Sequence, residues 1–302
     1  MGEALDHKGF LAAVPAETRE ELTARDDAPA LRHLLRHAGL ILVFQVYVAF
    51  GLPLWWVMPL PLGVALAFLF TLQHECTHKT PFETGWINET VGHVTGFLIF
   101  QPFEWFRAFH MAHHRFTNDP ERDPELEVPK PEGRGPFLWY LVGLRYWRAK
   151  IIVLLANAGG GDDVDYLTDR IRPRIKREAR LMLLGYALLA VTLFWSSLIF
   201  WVWLLPLILG FPVLRLYLLA EHGRCPAVAD MFENTRTTLT TTAVRFLAWN
   251  MPYHAEHHAW PAVPFHRLPE VHALAERHLK RVSPGYGAFL REYVSEDLAS
   301  RG

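Results

Sequence analysis

Histidines recur in three short groups whose spacing suits metal binding. The first group, HECTH, begins at residue 74, and the second and third, HMAHH and HAEHH, begin at residues 110 and 254. On a helix, side chains three or four positions apart lie on one face, so each group presents its imidazoles in one direction. The candidate ligands are His74, His78, His110, His113, His114, His254, His257 and His258. Their spacing predicts a metal centre assembled from three separate parts of the chain.

The number of these imidazoles indicates more than one metal ion. Eight histidines exceed the four ligands that a single tetrahedral zinc ion takes, which implies two metals. Neutral imidazole binds iron, copper, zinc and nickel, and histidine-ligated iron with open positions is suited to activating dioxygen. Because the groups adjoin apolar tracts, a lipid is the expected substrate.

Two long tracts without a charged residue must position these groups in a chain of 302 residues that is 51% hydrophobic. One tract covers residues 37 to 74 and the other residues 181 to 214. As single helices they would measure roughly 50 to 57 Å, nearly twice the hydrocarbon core of a bilayer, so each is interpreted as two spans. The sequence predicts an all-α integral membrane protein with four transmembrane helices in two hairpins, at about 38–54, 56–74, 181–196 and 198–216.

Basic residues orient the two hairpins. They occur in an N-terminal arm (1–36) and in two cap segments (75–180 and 217–302), whereas the turns within the tracts carry none. By the positive-inside rule, the histidine groups and both termini are expected on the cytoplasmic side. Residues 1–36 are expected to be a cytosolic arm without a cleavable signal, and 37–302 a single multi-pass membrane domain whose cytosolic helical cap carries the metal centre.

Two cap segments are apolar but too short to cross a bilayer. Residues 91–103 are expected to be re-entrant or buried against protein, and residues 137–156 mix aromatic and basic side chains as interfacial helices do.

The overall charge and the cysteine content exclude two other functions. Over the whole chain, 30 Lys and Arg nearly cancel 31 Asp and Glu, so no basic field favours nucleic acid as a partner. Two cysteines, Cys76 and Cys225, cannot form a four-thiolate metal site.

Three stretches carry a resemblance to the membrane fatty acid desaturase superfamily: QHECTHKTPF (73–82), FHMAHHRFTNDPERDP (109–124) and NMPYHAEHHAWPAVPFHRLP (250–269). The resemblance covers most of the chain and implies a non-haem di-iron centre with two iron ions and dioxygen as co-substrate. It also implies a ninth ligand, His222, about 30 residues before the third group. The activity implied is desaturation of the acyl chain of a fatty acid or lipid, and the alternative is a lipid or carotenoid hydroxylase or ketolase.

The electrons that such a reaction needs are expected from a separate protein. No His-Pro-Gly-Gly haem motif, CxxC pair or GxGxxG segment is evident in the sequence. The resemblance therefore implies a ferredoxin or a small haem protein as donor, docking on the polar cytoplasmic face. The acyl chain would enter a closed apolar tunnel that holds one methylene near the irons.

Carboxylates and amides near the histidine groups could accept imidazole N–H groups and orient the rings. For the three glutamates a solvated surface role is equally open, for Asn118 and Asp119 loop capping is, and for Asn250 local turn formation is. The candidates are Glu75, Glu221, Asn118, Asp119, Asn250 and Glu256.

Two other functions fit parts of the pattern. HECTH satisfies the HExxH motif of zinc peptidases, in which Glu75 would be the general base, but that function leaves six clustered histidines unused. A metal transporter would suit histidines in a membrane, yet the tracts have histidine only at His37 and His74 and so contain no ladder of ligands across the bilayer.

The remaining histidines are expected to lie outside the metal centre. His7, His33, His37, His272 and His278 are expected to be solvated or interfacial. For His93 and His266 a satisfied structural role is favoured over a hydrogen bond to the metal centre.

Overall fold

A computed structural model of the chain describes residues 4–161 and 163–295 and is almost entirely helical. The all-helical prediction is therefore confirmed. The helices are α1 (His7–Ala13), α2 (Ala16–Thr23), α3 (Asp27–Ala49), α4 (Pro59–Ala67), α5 (Leu69–His78), α6 (Gly85–Leu98), α7 (Phe103–Phe116), α8 (Arg134–Val142), α9 (Leu144–Gly159), α10 (Arg172–Thr192), α11 (Leu205–His222), α12 (Met231–Asn234), α13 (Thr242–Leu247), α14 (His254–Ala259), α15 (Leu268–Ala275) and α16 (Tyr286–Tyr293). Two short parallel strands, β1 (Thr237–Thr238) and β2 (Val282–Ser283), pair in the cap.

Two helical stretches in the described residues are long and apolar enough to cross a membrane. They are Trp55–His78, which contains α4 and α5, and Phe200–His222, which contains α11. Both end in a histidine of the candidate metal centre. The other two predicted spans fall on α3 and α10, whose first turns carry charged residues.

The chain reverses direction in the middle of both apolar tracts. In the first tract, α3 ends at Ala49, and Gly51 adopts a positive φ of 58° before the next helical turn. Such a φ is readily adopted by glycine, which has no Cβ. In the second tract, α10 ends at Thr192 and helical structure resumes at residue 198. These turns fold the tracts back on themselves.

Glycines bring the two candidate spans into direct backbone contact. A Cβ on Gly63 of α4 would lie 1.8 Å from the carbonyl oxygen of Pro206, and a Cβ on Gly210 of α11 would lie 2.0 Å from the backbone of Gly63. Small residues allow such close approach of helices in membrane proteins. This contact holds α4, which leads into the helix of His74, against α11, which carries His222.

The N-terminal arm packs onto the cap, contrary to the expectation that its histidines are solvated. His7 is buried and its ring lies 3.1 Å from Asp230 Oδ1. His278 is buried as well and accepts a hydrogen bond from the backbone of Leu5 at 2.9 Å. The solvated role predicted for these two residues was wrong because the start of the N-terminal arm packs against the cap, where His7 contacts Asp230 and Leu5 contacts His278.

His37 is also fully buried, contrary to expectation. Its Nε2 lies 2.9 Å from the carbonyl oxygen of Ala65, and its Nδ1 accepts a hydrogen bond from the Trp249 indole at 3.1 Å. One imidazole therefore joins α3 and α4 to the loop that precedes the third histidine group. His33 lies nearby, half-buried, 2.8 Å from the carbonyl oxygen of Phe246.

The segment predicted as one interfacial helix, 137–156, is divided between α8 and α9. The break occurs at Gly143, where φ is 74°. Lys150 in this segment is buried and donates to Gln101 Oε1 at 2.5 Å, and burial lowers the pKa of this amine well below its usual range. The other short apolar segment, 91–103, forms the end of α6 and the turn into α7.

Candidate metal centre

The three histidine groups lie on α5, α7 and α14, and a fourth contribution comes from the end of α11. Helix α7 begins after Pro102, and the cation of Arg115 in its last turn is favourable near the negative end of the helix dipole. The short helix α14 follows Trp249 and Asn250, which both have positive φ values, 50° and 58°. Asparagine tolerates that conformation, whereas Trp249 is held in it by complete burial and its bond to His37. This turn directs α14 toward α5 and α7.

Five imidazoles form a first cluster. One ring nitrogen of each lies within 4.8 Å of one ring nitrogen of every other. Its members are His74, His78, His110, His114 and His257. The Nε2 atoms of His78 and His110 are 2.9 Å apart. Two nitrogens bound at right angles to one metal at about 2.1 Å would be separated by roughly 3 Å. The spacing therefore suits a shared ion.

A second cluster adjoins the first. His113, His222 and His258 place ligand nitrogens within 4.8 Å of one another. The Nε2 atom of His222 lies 3.2 Å from that of His113 and 3.2 Å from that of His254. His254 Nε2 is also 3.2 Å from His258 Nε2, so four imidazoles converge here. The rings of His114 and His258 stack 4.0 Å apart and join the two clusters.

The burial and bonding of these rings fit bound metal ions. The Nε2 atoms of His74, His114 and His257 are buried without a hydrogen-bond partner, an arrangement that is costly unless an ion is bound. Burial, reinforced by repulsion from neighbouring imidazoles, holds the pKa of His110, His114 and His257 well below the usual histidine range. These side chains are therefore neutral and have a lone pair available for a metal.

Several cap residues orient the rings. Asp123 Oδ1 accepts from His113 Nδ1 at 2.9 Å, which directs Nε2 of that ring into the second cluster. Thr117 lies 3.1 Å from His258 Nδ1, and the carbonyl oxygen of Asn234 lies 3.4 Å from His222 Nδ1. The sequence analysis missed Asp123 and Thr117 in this role, although both lie within ten residues of the second histidine group.

Two of the six predicted orienting residues lie beside imidazoles of the two clusters. Glu75 is fully buried, and its Oε1 lies 3.7 Å from His74 Nδ1 and 3.6 Å from His257 Nδ1. Glu221 Oε1 lies 3.5 Å from His254 Nδ1. These carboxylates lie on the side of the rings away from the Nε2 atoms. Each can therefore hold a ring whose Nε2 binds metal.

The other four predicted orienting residues contact different groups. Asp119 pairs with Arg122, and Asn250 donates to the carbonyl oxygen of Phe265 at 3.0 Å. Asn118 donates to the carbonyl oxygen of Asn234 at 2.5 Å, which ties the end of α7 to α12. Glu256 accepts from Thr237 and contacts His272, a histidine that the sequence analysis did not connect with this region.

A third group of side chains that could bind a metal lies outside the two clusters, but arginines form ion pairs with its carboxylates. It consists of Glu89, His93 and Glu104. Arg107 bonds both oxygens of Glu89 at 2.9 Å, and Arg174 bonds Glu104 at 2.6 Å. These ion pairs satisfy the carboxylates and indicate a structural network.

Comparison with known proteins identifies the family. A model of the family described as fatty acid desaturase matches residues 23–292. The chain belongs to the fatty acid desaturase family. This confirms the resemblance carried by the histidine groups and places both clusters inside the matched region.

The curated relatives of this desaturase-family chain include several acyl-lipid desaturases. The sn-1 oleoyl-lipid 12-desaturase of Arthrospira platensis is 26% identical over 72% of this chain and 66% of its own length. That of a Picosynechococcus species is 30% identical over 33% of this chain and 30% of its own length. The sn-1 acyl-lipid omega-3 desaturase (ferredoxin) of a Nostoc species is 28% identical over 37% of this chain and 31% of its own length. The chain thus spans less than two thirds of the length of these relatives.

Proposed function

We propose that this protein is an oxygen-dependent acyl-lipid desaturase whose two clusters each hold one iron ion. The observation that carries the proposal is the convergence of buried imidazoles, several with no hydrogen-bond partner, at the ends of the two apolar helical stretches. The proposed ligands are His74, His78, His110, His113, His114, His222, His254, His257 and His258. Bound iron would supply reductive activation of dioxygen and abstraction of hydrogen from an unactivated C–H bond.

The protein's own residues prepare this centre. Asp123, Glu75 and Glu221 orient ligand rings from behind. Burial of the imidazoles excludes bulk water and keeps the rings of His110 and His257 neutral. A lipid chain would be held beside the centre by apolar contacts alone, because a methylene has no polar group that the protein could bind.

We also propose the four-span arrangement in a membrane. Helices α3 and α10 expose apolar side chains along one side, as lipid-facing helices do. The exposed residues are Leu35, Leu42, Val43 and Val46 on α3, and Leu181, Leu184, Leu188 and Val191 on α10. With two candidate spans already present, these faces support a pair of hairpins with the clusters on the cytoplasmic side.

The names of the relatives support a proposal for the substrate and for the electron donor. Two of them are oleoyl-lipid desaturases and one carries ferredoxin in its name. We therefore propose an acyl lipid as substrate and a ferredoxin as electron donor, with a small haem protein as the alternative. Hydroxylation or ketolation of a lipid is the alternative reaction.

The position of Glu75 disfavours a zinc peptidase. A general base must reach the water that attacks the peptide bond. Glu75 is fully buried and faces the Nδ1 atoms of His74 and His257, away from the side where a metal would bind.

Product analysis tests the proposed function. The full chain would be expressed with a ferredoxin and its reductase in a host that makes only saturated and monounsaturated acyl lipids. We expect new double bonds that depend on oxygen and disappear in His257→Ala. New hydroxyl or keto groups would favour the alternative reaction, and unchanged lipids despite a fully iron-loaded protein would contradict both.

Replacing Glu75 with glutamine should weaken metal binding. The neutral amide lacks the negative charge that Glu75 places 3.7 Å from His74 Nδ1 and 3.6 Å from His257 Nδ1, and loss of a carboxylate beside ligand imidazoles typically costs 10- to 100-fold in metal affinity or activity. Iron per chain would be measured after graded chelation. Glu256→Gln is the matched control, because Glu256 is equally buried but contacts Thr237 and His272. Equal iron loss in both variants would refute this role for Glu75.

A further inference from the structure

An acidic side chain outside the histidine groups reaches one ring of the second cluster, that of His113. Glu125 lies on a single 3-10 turn, Pro124–Glu127, just after α7. Its Oε2 is 3.4 Å from Nε2 of His113, the ring nitrogen that faces His222. The Glu125 side chain is 39% exposed, whereas that of His113 is 2% exposed. The carboxylate therefore lies at the border between the buried imidazoles and the outside of the cap.

The turn that carries Glu125 is anchored to the same imidazole. Asp123 Oδ1 accepts from His113 Nδ1 at 2.9 Å and from the backbone N–H of Glu125 at 2.9 Å. The other oxygen of Asp123 accepts from the backbone of Asn118 at 2.7 Å. Asp123 therefore fixes the position of the Glu125 backbone relative to the ring of His113. The approach of the carboxylate to Nε2 is thus built into the loop.

The second cluster has one imidazole fewer than the first, and Glu125 would supply the additional ligand. The first cluster contains five imidazoles, whereas four Nε2 atoms converge in the second. A carboxylate oxygen from Glu125 would be the fifth donor. Carboxylates accompany histidines as ligands of non-haem iron, and a negative ligand partly offsets the charge of the ion. The separation of 3.4 Å is close to the roughly 3 Å expected between neighbouring ligands of one ion.

Resting on the proposed function, we infer that Glu125 is an oxygen ligand of the metal ion in the second cluster. The two metal positions are then chemically different, because one has imidazole ligands alone and the other has a carboxylate as well. The competing interpretation is an ion pair that exists only without metal.

Metal titration of the purified full chain in detergent tests this inference. Metal-free protein would be titrated with Co²⁺ and then with Fe²⁺, followed by graded chelation and metal analysis per chain. For Glu125→Gln we expect two metals at saturation but at least tenfold weaker retention of one of them, with a changed Co²⁺ absorption spectrum. Glu125→Asp tests whether carboxylate reach matters and should give an intermediate result. Glu127→Gln is the matched control, since Glu127 lies exposed on the same turn.

The outcomes separate this inference from the proposed function. A wild-type chain that binds fewer than two metals would contradict the proposed function itself. A wild-type chain that binds two, with Glu125→Gln retaining both equally well and with an unchanged spectrum, would overturn the role of Glu125 alone. If Glu125→Gln does not fold, Glu125→Asp serves as the test. Metal retention and a Co²⁺ spectrum unchanged from wild type in that variant would also overturn the inference.

Discussion

Replacement of His110 with alanine is expected to reduce desaturation to about 1% of wild type or less. The change removes an imidazole whose Nε2 lies 2.9 Å from that of His78 in the first cluster. Loss of a group that only orients a ligand already costs 10- to 100-fold, and loss of the ligand itself should cost more. Alanine is a strong helix former, so α7 should persist. Acyl-lipid profiles and iron per chain would measure the effect.

His266→Ala is the control for this variant. His266 is half-buried on a 3-10 turn and belongs to neither cluster. It should retain most of the product and the full metal content. If His110→Ala retained half of the wild-type product, His110 would have to be removed from the proposed ligands.

Replacement of Gly63 with alanine should strongly destabilise the protein. The new Cβ would lie 1.8 Å from the Pro206 carbonyl oxygen, a backbone atom that can move only if α4 and α11 separate. Overpacking of this kind typically costs 1–3 kcal/mol, and we expect about 3 kcal/mol here. In a chain of 302 residues that corresponds to a fall of roughly 5 °C in the melting temperature, measured in detergent.

Gly39→Ala provides the matched comparison, because a Cβ on that α3 glycine would meet no atom within 4 Å. Its melting temperature should be unchanged or slightly higher, since alanine favours the helix. Equal melting temperatures for the two variants would show that the close approach of α4 and α11 is not needed for stability. Retention of bound iron would be recorded in parallel, since Gly63 and His74 belong to the same apolar stretch.

The sequence predicted the features that depend on regular periodicity. Spacings of three and four residues indicated which imidazoles share a helix face, and the absence of charge over 37–74 indicated an apolar hairpin. The helical fold and the family are confirmed. His222 was predicted only through resemblance, because a single histidine at the end of an apolar helix has no spacing pattern of its own.

Contacts between distant segments could not be predicted in this way. The burial of His37 depends on Ala65 and Trp249, which are 28 and 212 positions away. The roles of Asp123 and His272 likewise depend on loop conformations that put them beside His113 and Glu256. Hydrophobic patterning describes which side of an element is covered, but it does not specify which residue of another segment covers it.

Both proposed metal positions depend on the last of the histidine groups to be synthesised. His257 belongs to the first cluster, while His254 and His258 belong to the second. In the proposed four-span arrangement, the earlier apolar segments would enter the bilayer before either ligand set is complete. A nascent chain that ends before residue 254 lacks three of the nine proposed ligands, so full iron loading would follow the emergence of α14 from the ribosome.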